Sequence, residues 1–169
     1  DPDAPASTCG TEAECRSRCE ADSPAPCYGL LFLHHKGRAS SEAAELGKQK
    51  LKAGCDAGVA DACRLLGMAY VEGMGTKHDP GRALGAFERA CNLKRYPDCA
   101  LAAELLRKGA SGKRDLQRAK GLLRRGCDHD NGASCSELGN MERYGEGGPS
   151  NPEAAAKLYE RACKLGDAV

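Results

Sequence analysis

Apolar residues recur along this chain in short runs with helical spacing. In residues 79–92, DPGRALGAFERACN, the residues Ala83, Leu84, Phe87 and Ala90 fall on one helix face. Asp79 stands where an N-cap is expected and Pro80 at the first helical position. Asn151-Pro152-Glu153 repeats that opening, and Asp115 caps a third copy. A second kind of run is Cys63 to Gly73, CRLLGMAYVEG, with Leu66, Ala69 and Tyr70 on one face. Gly37, Gly73, Gly109 and Gly145 follow runs of this second kind, where a left-handed C-terminal stop suits glycine. Thr11-Glu-Ala-Glu14 is a capping box that opens a helix ending near Cys19. No segment reads as a strand.

The two runs alternate with a fixed period. Cysteines 19, 55, 91, 127 and 163 are spaced by 36 residues, cysteines 27, 63, 99 and 135 by the same 36, and the two series are offset by eight. Other columns keep the register: Leu30, Leu66, Ala102 and Leu138; Leu51, Phe87, Leu123 and Tyr159; and the always small Gly47, Ala83, Ala119 and Ala155. Each unit therefore predicts a helix A followed by a helix B. One such pair cannot bury its apolar face alone, so the pairs must stack into a solenoid. The register gives a flexible N-terminal segment (1–10), then one solenoid over 11–169. Within it lie a half-unit (11–18), units 19–54, 55–90, 91–126 and 127–162, and a partial fifth unit (163–169).

Composition sharpens this picture in three ways. Hydrophobic residues make up 41% of the 169, but only 4% are aromatic and none is Trp, so the core is built mainly of Leu and Ala and needs other support. The formal charge of +1 gives no reason to expect nucleic acid or an anionic membrane as partner. The longest apolar run, Leu30 to Leu33, is far short of the roughly 20 residues of a membrane span. The opening DPDAPAST reads as a mature or trimmed end rather than a targeting segment. Eleven cysteines are many for this length; disulfides, a metal site and a redox centre all have to be weighed. No C-x-x-C occurs, which counts against zinc and against a close-spaced redox pair.

The stretch Leu66-Gly67-Met-Ala-Tyr70-Val-Glu-Gly73-Met-Gly75, followed by Asp79-Pro-Gly-Arg-Ala83, resembles the Sel-one-like repeat, a relative of the tetratricopeptide repeat. Unit 127–162 matches it through Leu138-Gly139, Gly145, Gly147, Asn151, Ala155 and Tyr159; units 19–54 and 91–126 lose the Leu-Gly pair partly or wholly. The paired cysteines look like the secreted, cysteine-rich branch of the family, such as the Helicobacter cysteine-rich proteins. The resemblance implies an all-α fold, a right-handed α-solenoid of antiparallel helix pairs with each repeat stapled by a disulfide. In that branch the bridge joins the end of helix B to the start of the next helix A. Here that gives Cys19–Cys27, Cys55–Cys63, Cys91–Cys99 and Cys127–Cys135, with a local Cys9–Cys15 as the simple reading of the first two. Four such loops contribute at most on the order of 10 kcal/mol in the chain-entropy treatment. Cys163 is left unpaired, since its partner would fall at position 171; the expectation is either a truncated chain or a free thiol available for an intermolecular disulfide. The compartment expected is oxidising: secreted or periplasmic, with a mitochondrial intermembrane space as the lesser alternative.

Cysteine-rich relatives have been associated with penicillin binding and β-lactamase activity, so a β-lactam-binding enzyme is the alternative function. Its motifs are absent: no serine has Lys three residues on, and there is no K-T-G, S-D-N or G-x-S-x-G. His34-His35 is the only histidine cluster, and adjacent helical side chains diverge by about 100°, which does not suit one metal. Glu72-Gly-Met-Gly75 and Gly145-Glu-Gly-Gly148 lack the Lys-Ser/Thr of a phosphate loop and read as turns. The expectation is no catalysis, no metal and no cofactor.

By resemblance to the tetratricopeptide layout, helix A lines a concave surface that takes a protein or peptide. Its outward columns hold Tyr28, Arg64, Phe32, Met68, His35 and Val71 in the first units. In the later ones they hold Glu104, Arg107, Lys108, Asn140, Arg143 and Tyr144. An apolar, aromatic half followed by an Arg- and Tyr-rich half suits a peptide with an apolar part and a carboxylate part.

Overall fold

A computed structural model describes residues 9–21, 23–110 and 112–167, and the expected flexible segment lies outside these except for Cys9 and Gly10. The described residues form nine α-helices and no strand. They fall into two compact units, one ending at Leu93 and the other beginning at Lys94.

The first unit holds α1 (Glu12–Glu20), α2 (Pro24–His35), α3 (Ser41–Asp56), α4 (Ala60–Glu72) and α5 (Pro80–Asn92), each packed on the next, with α2 also touching α4. The second holds α6 (Pro97–Lys108), α7 (Leu116–Asp128), α8 (Gly132–Tyr144) and α9 (Pro152–Lys164), again packed in sequence, with α6 on α8. Even-numbered helices are the A type and odd-numbered helices from α3 on are the B type.

Helix ends follow from local chemistry. Asp79, Asp115 and Asn151 accept from the backbone N–H groups of Arg82, Arg118 and Ala154 at 2.9, 3.1 and 3.0 Å. Gly73, Gly109 and Gly145 close α4, α6 and α8 with φ of 68°, 83° and 68°. Thr11 caps α1 through the Glu14 N–H at 3.3 Å, and the Glu14 carboxylate reaches back to the Gly10 N–H at 3.1 Å. The first B helix departs from the register. Ala43 occupies the Asp79 column and cannot cap, so Ser40 caps instead, accepting from Ala43 N–H at 3.1 Å, and α3 begins three residues early.

The cores are aliphatic. Leu30, Leu31 and Leu51 are fully buried in the first unit, and Leu106, Leu123 and Met141 in the second. Small residues let the helices approach. A Cβ on Gly67 would sit 2.7 Å from the Phe87 ring, and one on Gly139 would sit 2.7 Å from the Tyr159 ring. Bridges Cys19–Cys27, Cys55–Cys63 and Cys127–Cys135 join the end of one helix to the start of the next, with Cα–Cα distances of 4.7, 4.4 and 4.6 Å. Cys9–Cys15 closes a loop at the start of α1, with a Cα–Cα distance of 5.3 Å. Cys91 and Cys99 are also disulfide-bonded, and Cys163 is a free, exposed thiol.

Candidate binding face

In the second unit a cleft of about 410 Å³ opens beside α6. Ala100, Leu101, Ala103 and Leu123 give it an apolar floor, and Glu104, Arg107, Lys108, Arg114 and Glu137 a charged rim. Helical spacing explains the shape: residues 100, 103, 104 and 107 share one face of α6, and Gly109 stops the helix just after its two cations.

Arg107 organises the rim. Its Nε and Nη2 donate to Glu146 Oε2 and Oε1 at 2.8 and 3.2 Å, and its Nη1 donates to Glu137 Oε2 at 2.8 Å. The guanidinium thus already holds two carboxylates of its own chain. Lys108 Nζ donates to Glu104 Oε1 at 2.5 Å, one helical turn back. The Arg107 guanidinium holds Glu146 below the ordinary glutamate range, with Arg114 adding to it and partial burial opposing it. A carboxylate with a depressed folded pKa adds stability at neutral pH, and the gain is lost as pH falls through that folded pKa. Glu146→Gln should therefore destabilise by about 1 kcal/mol at neutral pH. The difference from wild type should shrink as pH falls through and below the ordinary glutamate range, and vanish once Glu146 is protonated in the folded chain. Thermal melts across that pH range measure it, and a gap independent of pH would rule the account out.

The other anticipated residues divide sharply. Tyr28 and Phe32 are only 2% and 5% exposed, so they do not offer the apolar surface expected of them. Burial, then the Glu72 carboxylate that accepts from the Tyr28 hydroxyl at 2.8 Å, pushes the Tyr28 pKa far up. The Lys36 ammonium lies 5.5 Å from the Phe32 ring centroid. Arg64, Met68 and Val71 are half-buried, and His35 is exposed. Asn140 is held by the Tyr159 hydroxyl, which donates to its Oδ1 at 2.9 Å. Arg143 and Tyr144 end α8 in the open, the guanidinium 5.5 Å from a ring that is 69% exposed. The cleft thus gathers Glu104, Arg107 and Lys108 from the anticipated set. It adds Leu101, Arg114 and Glu137, which the column reading passed over. Glu137 lies in the column of Leu101, one repeat on, and that register was the signal that could have found it.

Three of the four histidines serve local structure. His34, His78 and His129 place Nδ1 within 3.0, 2.6 and 2.9 Å of the Ala39, Val71 and Arg125 carbonyls. Among the described residues no three His, Cys, Asp or Glu side chains group as metal ligands. No helix among them is long and apolar enough to cross a membrane.

The family model described as "Sel1 repeat" matches residues 60–94, 97–131 and 132–167, more than half of the chain. The chain belongs to the Sel1 repeat family. Sel1 repeats mediate protein interactions, and their fold is typically a non-enzymatic scaffold. Among solved structures, a Sel1 repeat protein from Oxalobacter formigenes aligns with TM-score 0.70 and 19% identity over 92% of this chain and 62% of its own. A protective antigen of uropathogenic Escherichia coli with an SLR fold aligns at TM-score 0.72 and 15% identity over 92% of this chain and 33% of its own. Helicobacter pylori cysteine rich protein B aligns at TM-score 0.55 and 24% identity over 70% of this chain and 90% of its own. The chain therefore spans about three fifths and one third of the first two relatives. These likenesses establish the α-solenoid fold, and the β-lactam alternative gains no support from them. A search of curated proteins found no match.

Proposed function

We propose that the chain is a secreted or periplasmic, disulfide-stabilised interaction module that binds a protein segment along its A helices. The observation that carries this is the α6 cleft, an apolar floor of Ala100, Leu101, Ala103 and Leu123 with a charged rim. An apolar side chain seated on that floor would be desolvated, while Lys108 and Arg114 face the segment's carboxylates. Tyr144 and Arg143 extend the face as exposed anchors of the kind that dominate binding energy. In the first unit, His35, Arg64, Met68 and Val71 belong to the same proposed set of A-helix positions. The disulfides support an oxidising compartment. The exposed Cys163 offers a thiol for a disulfide to a second chain.

Peptides selected for binding from a random display library test the reading. Leu101→Glu, or Lys108→Glu with Tyr144→Ala, should weaken the selected peptides by about tenfold or more. Lys108 and Tyr144 are exposed, so their replacement, with loss of the Lys108–Glu104 pair, should lower the melting temperature by a few degrees at most. Selected peptides that bind both variants as tightly as wild type would refute the site.

A further inference from the structure

The repeat pattern leaves one cavity open. In the first unit a cleft of about 310 Å³ lies where the start of α2, the end of α3 and the start of α4 meet. Pro24, Lys50, Ala53, Gly54, Ala57 and Val59 line it. Two of these positions carry large side chains in every later repeat. Leu93, His129 and Leu165 stand in the column of Ala57, and Arg89, Arg125 and Arg161 in the column of Ala53. In the first repeat both are cut back to a methyl group.

The later copies show what such a place holds. The frame is alike: a Cβ on Gly54 would lie 3.0 Å from the Ala62 Cβ, and one on Gly126 would lie 2.7 Å from the Ser134 Cβ in the same columns. In that second copy Tyr96 takes the place of Pro24 and His129 that of Ala57. Their rings stack with centroids 3.9 Å apart and planes 17° from parallel. In the next copy Gly132 takes the place of Pro24, and a Cβ on it would lie 3.4 Å from the Leu165 Cβ. The arms of Arg89 and Arg161 reach back to the Asp56 and Asp128 carbonyls at 2.8 and 3.4 Å. The cleft on α3 thus stands where another copy of the repeat seats a ring. Val59 adds an independent sign. It occupies the N-cap position of α4 and makes no capping bond, whereas Asn131 in its column accepts from the Ser134 N–H at 2.9 Å. An apolar N-cap is less stable than asparagine. Val59 is 43% exposed at the cleft, so burial within the chain does not offset that loss.

We propose that this cleft docks an aromatic side chain of a partner protein, with the ring between Pro24 and Ala57 and the flanking residues over Val59. The ring takes the place that the His129 imidazole takes in the second unit. Lys50 on the wall favours a ring over an aliphatic guest, because a cation is drawn to the ring face. Aromatic residues seated in small pockets are the usual anchors of protein interfaces. A free aromatic molecule would leave Val59 bare, whereas a protein segment covers the cleft and Val59 together. None of these residues belongs to the set assigned above to the A-helix face, so the two proposals stand or fall independently.

NMR titration of the full chain, with its disulfides intact, tests this with three probes. They are N-acetyl-tryptophanamide, the peptide acetyl-Ser-Leu-Trp-Leu-Ser-amide, and the same peptide with Leu in place of Trp. The Trp peptide should shift the Ala57 and Val59 methyl signals saturably and bind about tenfold tighter than either other probe. Ala57→Leu restores the leucine of positions 93 and 165. It should weaken the Trp peptide by about tenfold or more while the melting temperature stays or rises. Val59→Asn restores the cap and should remove most of the peptide's advantage over the amide, again without loss of melting temperature. Equal binding of the Trp and Leu peptides overturns the proposal. Equal binding of N-acetyl-tryptophanamide overturns it in favour of a small-molecule site. The absence of saturable shifts at Ala57 and Val59, or wild-type affinity in Ala57→Leu, also overturns it. So does self-association of the chain through Val59 that the Trp peptide does not reverse.

Discussion

Reduced protein should lose its helical circular dichroism at about 37 °C, where the oxidised protein keeps it, because its aliphatic cores are too thin to hold without the staples. Each nine-residue loop between helices contributes about 2.6 kcal/mol through the entropy it removes from the unfolded chain. Cys127→Ala with Cys135→Ala isolates one staple. Cys127, Cys135 and Ala162 form one cluster with Leu158 against it, so the bridge also occupies core volume. The pair should lower the melting temperature by roughly 5–10 °C for a chain of this size. Cys163→Ala, on an exposed thiol, serves as the control and should change nothing. A double variant that melts with wild type, or a reduced chain that stays helical, would show that the helices are self-sufficient.

Most of the fold was legible because its signals are local and repeat. Asp79, Asp115 and Asn151 announce a helix start by the same mechanism three times, and the glycine column announces the stop. The exception is instructive. Where Ala43 replaces the capping residue, periodicity alone would begin α3 at the wrong place, and Ser40 decides it. Column reading extrapolates an average repeat; capping chemistry is settled residue by residue.

The candidate face was less legible, for a different reason. Tyr28 and Phe32 occupy columns that face outward in an average A helix, yet α2 is buried continuously from Pro26 to Leu33. That helix packs against α1, α3 and α4, and a helix apolar on all sides is a buried one. The run Leu30 to Leu33 carried this signal, but a register that assigns each column one environment overrides it. Arg107 shows the complementary failure. Its position on the cleft follows from helical spacing, but its partners Glu137 and Glu146 lie 30 and 39 residues on, and only packing joins them.

Phe87→Ala should be the most damaging single substitution outside the cysteines, costing about 3–5 kcal/mol. The ring is 3% exposed and lies against Gly67, the position that allows α4 and α5 to approach. Gly67→Ala should also destabilise, by about 1–3 kcal/mol, because its Cβ would press on the ring at 2.7 Å. The repeats suggest how the two are coupled. Gly139 and Tyr159 repeat the glycine–aromatic pair in the second unit, whereas the same columns hold Ala103 with Leu123 and Leu31 with Leu51. Glycine accompanies the aromatics and alanine accompanies leucine at 103 and 123, so these three pairs fill similar volumes, whereas Leu31 with Leu51 fills more. Gly67→Ala combined with Phe87→Leu rebuilds the pairing of Ala103 and Leu123 and should cost less than the sum of its parts by about 1 kcal/mol or more. Urea denaturation of the four proteins in this cycle measures the coupling. Additive losses would mean that the two columns pack independently, and that matched volume at Gly67 and Phe87 is not what sets the distance between α4 and α5.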